Sequence, residues 1–161
     1  MFSSPGRSLS STSDVAALAS RRLCSGEIGL ITGTAAEYTI AGLAIPGGTP
    51  SDRAIIRSIF LRTSAPMDVA IGFTLFNYVV NALTVVQNHV LGNTGIITPF
   101  NGHNAGPSFN LIRRYYAVPT TGITITDVNI ELATGHQFVA VGGTVNTGLQ
   151  GWATWYEGPE L

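Results

Sequence analysis

Chemistry in this chain would have to come from three histidines and nine carboxylates, and their spacing builds no reaction centre. His89, His103 and His136 stand too far apart for a local ligand motif. A metal site needs convergent donors that are themselves held by hydrogen-bonded partners. The H-x-H followed by Glu that serves β-barrel metalloenzymes is absent. Glycoside hydrolysis needs only two suitably separated carboxylates, but no pair here is marked out by its spacing. The sequence has no G-x-S-x-G elbow, no phosphate-binding P-loop, no H-E-x-x-H and no G-x-G-x-x-G. An enzyme on this chain would rest on Asp127, Glu131 or a histidine. The reading carried forward is non-catalytic, with no metal and no cofactor.

Arginine and tryptophan pairs point elsewhere. Arg113-Arg114 lies in an expected strand, Asn110-Leu111-Ile112-Arg113-Arg114-Tyr115-Tyr116, so the two guanidinium groups point to opposite faces. One of them then needs a carboxylate such as Asp127 or Glu131, or a salt bridge to another subunit, or an edge position in solvent. In Trp152-Ala153-Thr154-Trp155-Tyr156 the two indoles also fall on opposite faces. One fills a core. The other is covered by a subunit or offers a flat platform of the kind that binds sugars.

Composition favours coverage by other protein. Charged residues make up 11% of the 161, against about 25% in ordinary globular chains. Either the surface is rich in Thr, Asn and Ser, or subunits cover much of it, since interface centres are depleted in charge. All eight basic residues are arginine, which pairs bidentately with carboxylates where lysine brings a hydrated point charge. A net charge of -1 argues against nucleic-acid binding, which needs surplus cations to displace counterions. Cys24 stands alone, so neither an intrachain disulfide nor a cysteine zinc site is expected, as suits a protein made in a reducing cytosol. The Ser-rich N-terminus makes a poor secretory signal. No apolar run approaches the ~20 residues of a membrane helix.

The elements that must position these side chains are strands. Met67, Val69, Ile71, Phe73 and Leu75 alternate with mostly small or polar residues, the period of a half-buried strand. Further strands are expected over 28–32, 37–43, 54–63, 82–90, 95–98, 110–118, 122–132, 137–141 and 151–157, parted by Gly, Pro, Asn and Thr clusters. This spacing predicts an antiparallel β-sandwich or barrel. The apolar phase of 123–132 switches after Ile125, which predicts a bulge or a bend between sheets. The longest irregular stretch is expected at 98–108, as a display or contact loop. Residues 1–26 read as an arm preceding a 27–161 sandwich domain. The first 13 residues are too polar to order themselves. A short helix is expected over Asp14–Leu23, capped by Thr12 or Ser13, with the Arg21-Arg22 pair at its C-terminal end.

The segment Ile55-Ile56-Arg57-Ser58-Ile59-Phe60-Leu61-Arg62-Thr63-Ser64-Ala65, then the alternating Met67–Leu75, then Asn129–Val141 and a last strand Gly151–Glu157, resemble small jelly-roll proteins of tailed-bacteriophage virions. These are the head decoration (cement) and tail-accessory types. The likeness covers about residues 54–157 and is one of strand order and turn chemistry; Asn77–Leu91 departs from it. It implies an all-β, jelly-roll-like antiparallel β-sandwich with an extended N-terminal arm. It also implies a homotrimer on the capsid exterior that holds the major capsid protein lattice together against internal pressure. Trimer contacts are then expected at Ile56, Phe60, Phe76, Tyr78, Arg114 and Trp155. Shell attachment is expected through Arg7, Leu9, Val15, Leu18 and Arg22. The rival reading is a tail or fibre module that binds a receptor or glycan through loop 98–108 with Trp152 or Trp155.

Overall fold

A computed structural model describes residues 22–30, 33–45, 52–75, 81–82, 85–88 and 97–159. Within them the chain is all-β, as the alternation requires. Eleven strands run in chain order: β1 (Arg22–Leu30), β2 (Tyr38–Ala44), β3 (Asp52–Thr63), β4 (Met67–Leu75), β5 (Asn81–Ala82), β6 (Val85–Asn88), β7 (Thr98–Asn104), β8 (Asn110–Ala117), β9 (Ile123–Ala133), β10 (His136–Gly142) and β11 (Leu149–Pro159). They form two antiparallel sheets. The five-stranded sheet has the order β6-β1-β11-β3-β9, and the six-stranded sheet the order β5-β7-β2-β10-β4-β8.

Pairing is nested. β1 pairs with β11, β2 with β10, β3 with β9 and β4 with β8. The first four strands alternate between the sheets, so the chain behaves as one long antiparallel ribbon wound around a core.

That core lies between the sheets. Cys24 and Ile28 from β1, Ile56, Ile59 and Leu61 from β3, Met67, Val69 and Ile71 from β4, Phe138 from β10 and Trp155 from β11 are all buried in it. A second cluster joins Ile40, Ala44, Phe100, Val139 and Val141, with Tyr38 and Phe109 against it. Since Phe138 and Ala140 belong to the first cluster and Val139 and Val141 to the second, the six-stranded sheet is apolar on both faces.

An irregularity between β3 and β9 sets the phase. Ile56 faces Ile130 and Ser58 faces Thr126, so Arg57 on β3 stands against three β9 residues, 127–129. Asn129 there has φ +48° and accepts a 2.7 Å hydrogen bond from Arg57 Nη1 at its Oδ1. The phase switch expected after Ile125 is this bulge.

Three expectations are corrected. Arg22 and Leu23 are strand, paired with Glu157 and Tyr156, so no helix reaches Leu23 and the sandwich begins before residue 27. The rest of the expected helix and arm, 1–21, lies outside the described residues. Thr98–Asn104, expected as loop, is a strand paired along its length with β2. That pairing satisfies the backbone polar groups on its β2 side and leaves 105–109 as the connection to β8. Finally, the alternation of β4 continues past the core: Met67, Val69 and Ile71 are buried, but Phe73 and Leu75 are exposed where the sandwich ends.

Candidate functional site

Among the described residues two apolar surfaces stand uncovered. The first is the outward face of the five-stranded sheet. The register lines its side chains into rows across β1, β11, β3 and β9. One row is Glu27, Trp152, Phe60 and Thr124. The next is Ser25, Thr154, Ser58 and Thr126. The third is Leu23, Tyr156, Ile55 and Glu131. Trp152 and Phe60 oppose each other directly and are each 38% exposed.

Polar contacts frame this face. Arg62 Nη2 donates to Gln150 Oε1 at 2.9 Å, and Gln150 Nε2 donates to Glu27 Oε1. The chain of bonds crosses three strands beyond the Trp152–Phe60 row. At the other end, Arg57 lies 6.0 Å over the Tyr156 ring and Arg53 Nε is 3.9 Å from Glu131 Oε1. Between the ridges, the Ser58 and Thr154 hydroxyls bond each other at 2.6 Å.

The second surface is the β4–β8 edge of the six-stranded sheet. β8 is an edge strand, and six of its eight side chains are exposed. Leu111 and Tyr116, the latter 66% exposed, oppose Gly72 and Asp68 toward the two ends of β8, with Ile112 beside Leu111, while Phe73 and the 69% exposed Leu75 follow Ile71 on the other face of β4. Ile71 faces Arg113 and Gly72 faces Leu111, so Ile112 bulges out of the ladder. Apolar side chains on an edge strand offer contact to another chain, while the exposed Arg113 and Arg114 at the centre of β8 oppose strand-to-strand pairing.

Two clefts lie among the described residues. One, of about 290 Å³, lies at the end of the sandwich between Phe73, Glu131, Leu132, Ala133 and His136. It brings together Glu131 and His136, two residues that the enzyme reading would need. Glu131, however, reaches toward Arg53, and His136 Nδ1 lies 3.3 Å from the Ala133 carbonyl, which ties the β9–β10 turn. The other, of about 420 Å³, has Tyr38, Phe109 and Pro107 as walls, Ala70 and Val141 as floor and Arg114 at its side.

The residues expected at a trimer contact do not share one surface. Ile56 and Trp155 are fully buried between the sheets. Neither reaches a second copy, and this corrects both assignments. Phe60 is on the outward face of one sheet and Arg114 on the edge strand of the other. Arg113 and Arg114 are both exposed, which is the edge arrangement, and Arg113 stacks 5.4 Å over Tyr115. Phe76 and Tyr78 lie outside the described residues, as do Arg7, Leu9, Val15 and Leu18 and the third histidine, His89. Arg22 opens β1, so its backbone is part of the sheet.

Loop and indole, expected together in a glycan site, are separated. Trp152 is on the outside of the five-stranded sheet, while Phe109 of the β7–β8 connection packs on the outside of the six-stranded one. The sequence had offered Trp155 and Trp152 as equals. What distinguishes them is Glu157, which shares Trp155's face two residues on and holds its indole inside.

Comparison with protein-family models, with curated proteins and with solved structures gave no match.

Proposed function

We propose that this chain is a virion structural protein of the jelly-roll type, a trimeric decoration protein that stabilises a major capsid protein lattice from outside. The nested pairing supports the fold assignment. Without the short β5–β7 excursion, the sheets read β1-β11-β3-β9 and β2-β10-β4-β8. This is the order produced by winding one antiparallel ribbon into two Greek keys.

The observation that carries the functional reading is that two separate apolar surfaces remain uncovered, one on a sheet face and one on a sheet edge. A monomer needs neither, since large exposed apolar patches mark interaction sites. A closed oligomer needs one. A protein that joins copies of itself to a larger lattice needs two. The low charge fits the same reading, because covered surface spends little on solvation. Shell attachment then uses the β4–β8 edge together with the arm, residues 1–21.

Electron microscopy of the native assembly containing this chain tests the proposal. Sandwich-sized density on the outer shell at three-fold positions is the expected result. Finding the chain at the tip of a tail fibre would replace decoration with receptor binding, and finding it free of any particle would end the proposal.

A further inference from the structure

We infer that the outward face of the five-stranded sheet is where copies of this chain meet, with Phe60 and Trp152 as its centre. The inference rests on the assembly reading above and assigns a surface to self-association.

The relief of the face fits its own kind. Trp152 and Phe60 form one ridge, Tyr156, Ile55 and Leu23 another, and the row between them is Ser25, Thr154, Ser58 and Thr126, with Ser25 buried and the trough open over β11, β3 and β9. Rows two residues apart along a strand are about 6.7 Å apart, so the trough has the width of one aromatic ridge. Its central hydroxyls already bond each other across the strands. A ridge from another copy can therefore enter without stranding the Ser58–Thr154 pair.

Charge is distributed to match. Among the described side chains of this face, the β1 side carries Glu27, bonded to Gln150, while the β3 side carries Arg53, Arg57 and Arg62, with Glu131 of β9 beside Arg53. In a cyclic arrangement with this face toward the axis, the acidic side of one copy meets the basic side of the next. Such heterologous contacts close into rings. The polar bonds at both ends of the face resemble the rim that surrounds an apolar interface centre. Four strands about 4.8 Å apart and some nine residues of length give a flat footprint of roughly 500 Å². A ring divides this between two neighbours, so each contact is smaller than the ~800 Å² per partner of standard complexes and depends on its aromatic centre.

The β8 edge fits self-association less well. Pairing two copies of β8 antiparallel would bring the Arg113-Arg114 pairs of both strands close together, and like charges facing across a ladder repel.

Light scattering coupled to size exclusion, on the full chain, decides the matter. Wild type is expected near three times the 16.9 kDa chain mass, and the Phe60→Thr/Trp152→Thr variant at one chain mass with an unchanged β-rich circular dichroism spectrum. Trp152→Gln alone, a milder change at an exposed position, is expected to weaken association at least tenfold. A Leu111→Thr/Ile112→Thr variant on the β8 edge is expected to keep the wild-type mass. Because Trp155 is fully buried, acrylamide quenching of wild type reports on Trp152, and it should rise as dilution separates the copies. If the face variants keep the wild-type mass, or the β8 variant alone dissociates, this face is the wrong one while the assembly reading stands. A wild type that runs as one chain at every concentration overturns both. So does a glycan-array signal from such a single chain that Trp152→Gln abolishes.

Discussion

The indole Nε1 of Trp155 donates to Oε2 of Glu157 across 3.1 Å, from the same strand and inside the sandwich. The Ile97 backbone N–H donates to the same oxygen at 3.0 Å. Trp155 is the largest fully buried side chain, and Glu157 is 1% exposed. A carboxylate this deep is tolerated because both donors converge on it.

Glu157→Ala is therefore expected to cost about 2–4 kcal/mol, since it leaves the indole and the Ile97 amide buried without an acceptor. Glu157→Gln keeps one carbonyl oxygen and should cost less than half as much. Urea unfolding followed by Trp155 fluorescence gives both values. Equal losses for the two variants would mean that the acceptor is not what matters at this position.

The β9 bulge gives a second test. Asn129 holds a positive φ, which costs an L-residue with a bulky Cβ about 1 kcal/mol and asparagine less. It also takes the Arg57 hydrogen bond. Asn129→Ala should lower stability by about 1 kcal/mol and Asn129→Gly by only a few tenths, because glycine relieves the backbone while losing the same side-chain bond. Thermal melts of the pair check the ordering. If alanine matches glycine, the bond to Arg57 outweighs the backbone.

Gln137 gives a third, of opposite sign. It is fully buried on β10, and neither its amide oxygen nor its amide nitrogen has a hydrogen-bond partner among the described residues. Removing an unsatisfied polar group in favour of an apolar one of like shape stabilises. Gln137→Met is thus expected to raise stability by about 1–2 kcal/mol, read as a higher urea midpoint at unchanged slope. A loss of stability would show that the amide has a partner it needs.

How far the sequence reveals this molecule depends on bulges. A strand with unbroken alternation was legible to within a few residues, as Met67–Leu75 shows. The β9 bulge was legible too, because its apolar phase visibly switches. The matching irregularity at Arg57 was not. Ile56 and Phe60, four residues apart, read as neighbours on one face of an uninterrupted strand. Skipping Arg57 puts Ile56 in the core and Phe60 outside. The signal was present in Ile59 and Leu61, whose odd positions clash with those of Ala54 and Ile56. Strand β1 was missed before residue 28 because Cys24, Ser25 and Gly26 carry little β propensity. Their pairing with β11 decides the matter, and no local pattern encodes it.

The β8 edge supplies the last prediction, and it tests the shell attachment proposed above. Ile112 stands at the bulge, outside the register with β4, and is 45% exposed. A charge there should change stability by no more than about 0.5 kcal/mol, since the position touches neither core nor ladder. Yet lysine on an edge strand is the usual device by which proteins refuse a neighbouring chain. Ile112→Lys is therefore expected to leave a folded protein of wild-type mass that no longer sediments with capsids stripped of it. The cause would be desolvation of the ammonium group where the apolar edge should seat. Removing residues 1–21, and stopping short of β1, is expected to weaken the same attachment with no change in subunit number. If Ile112→Lys still saturates the shell, the edge lies away from the lattice and attachment belongs to the arm alone.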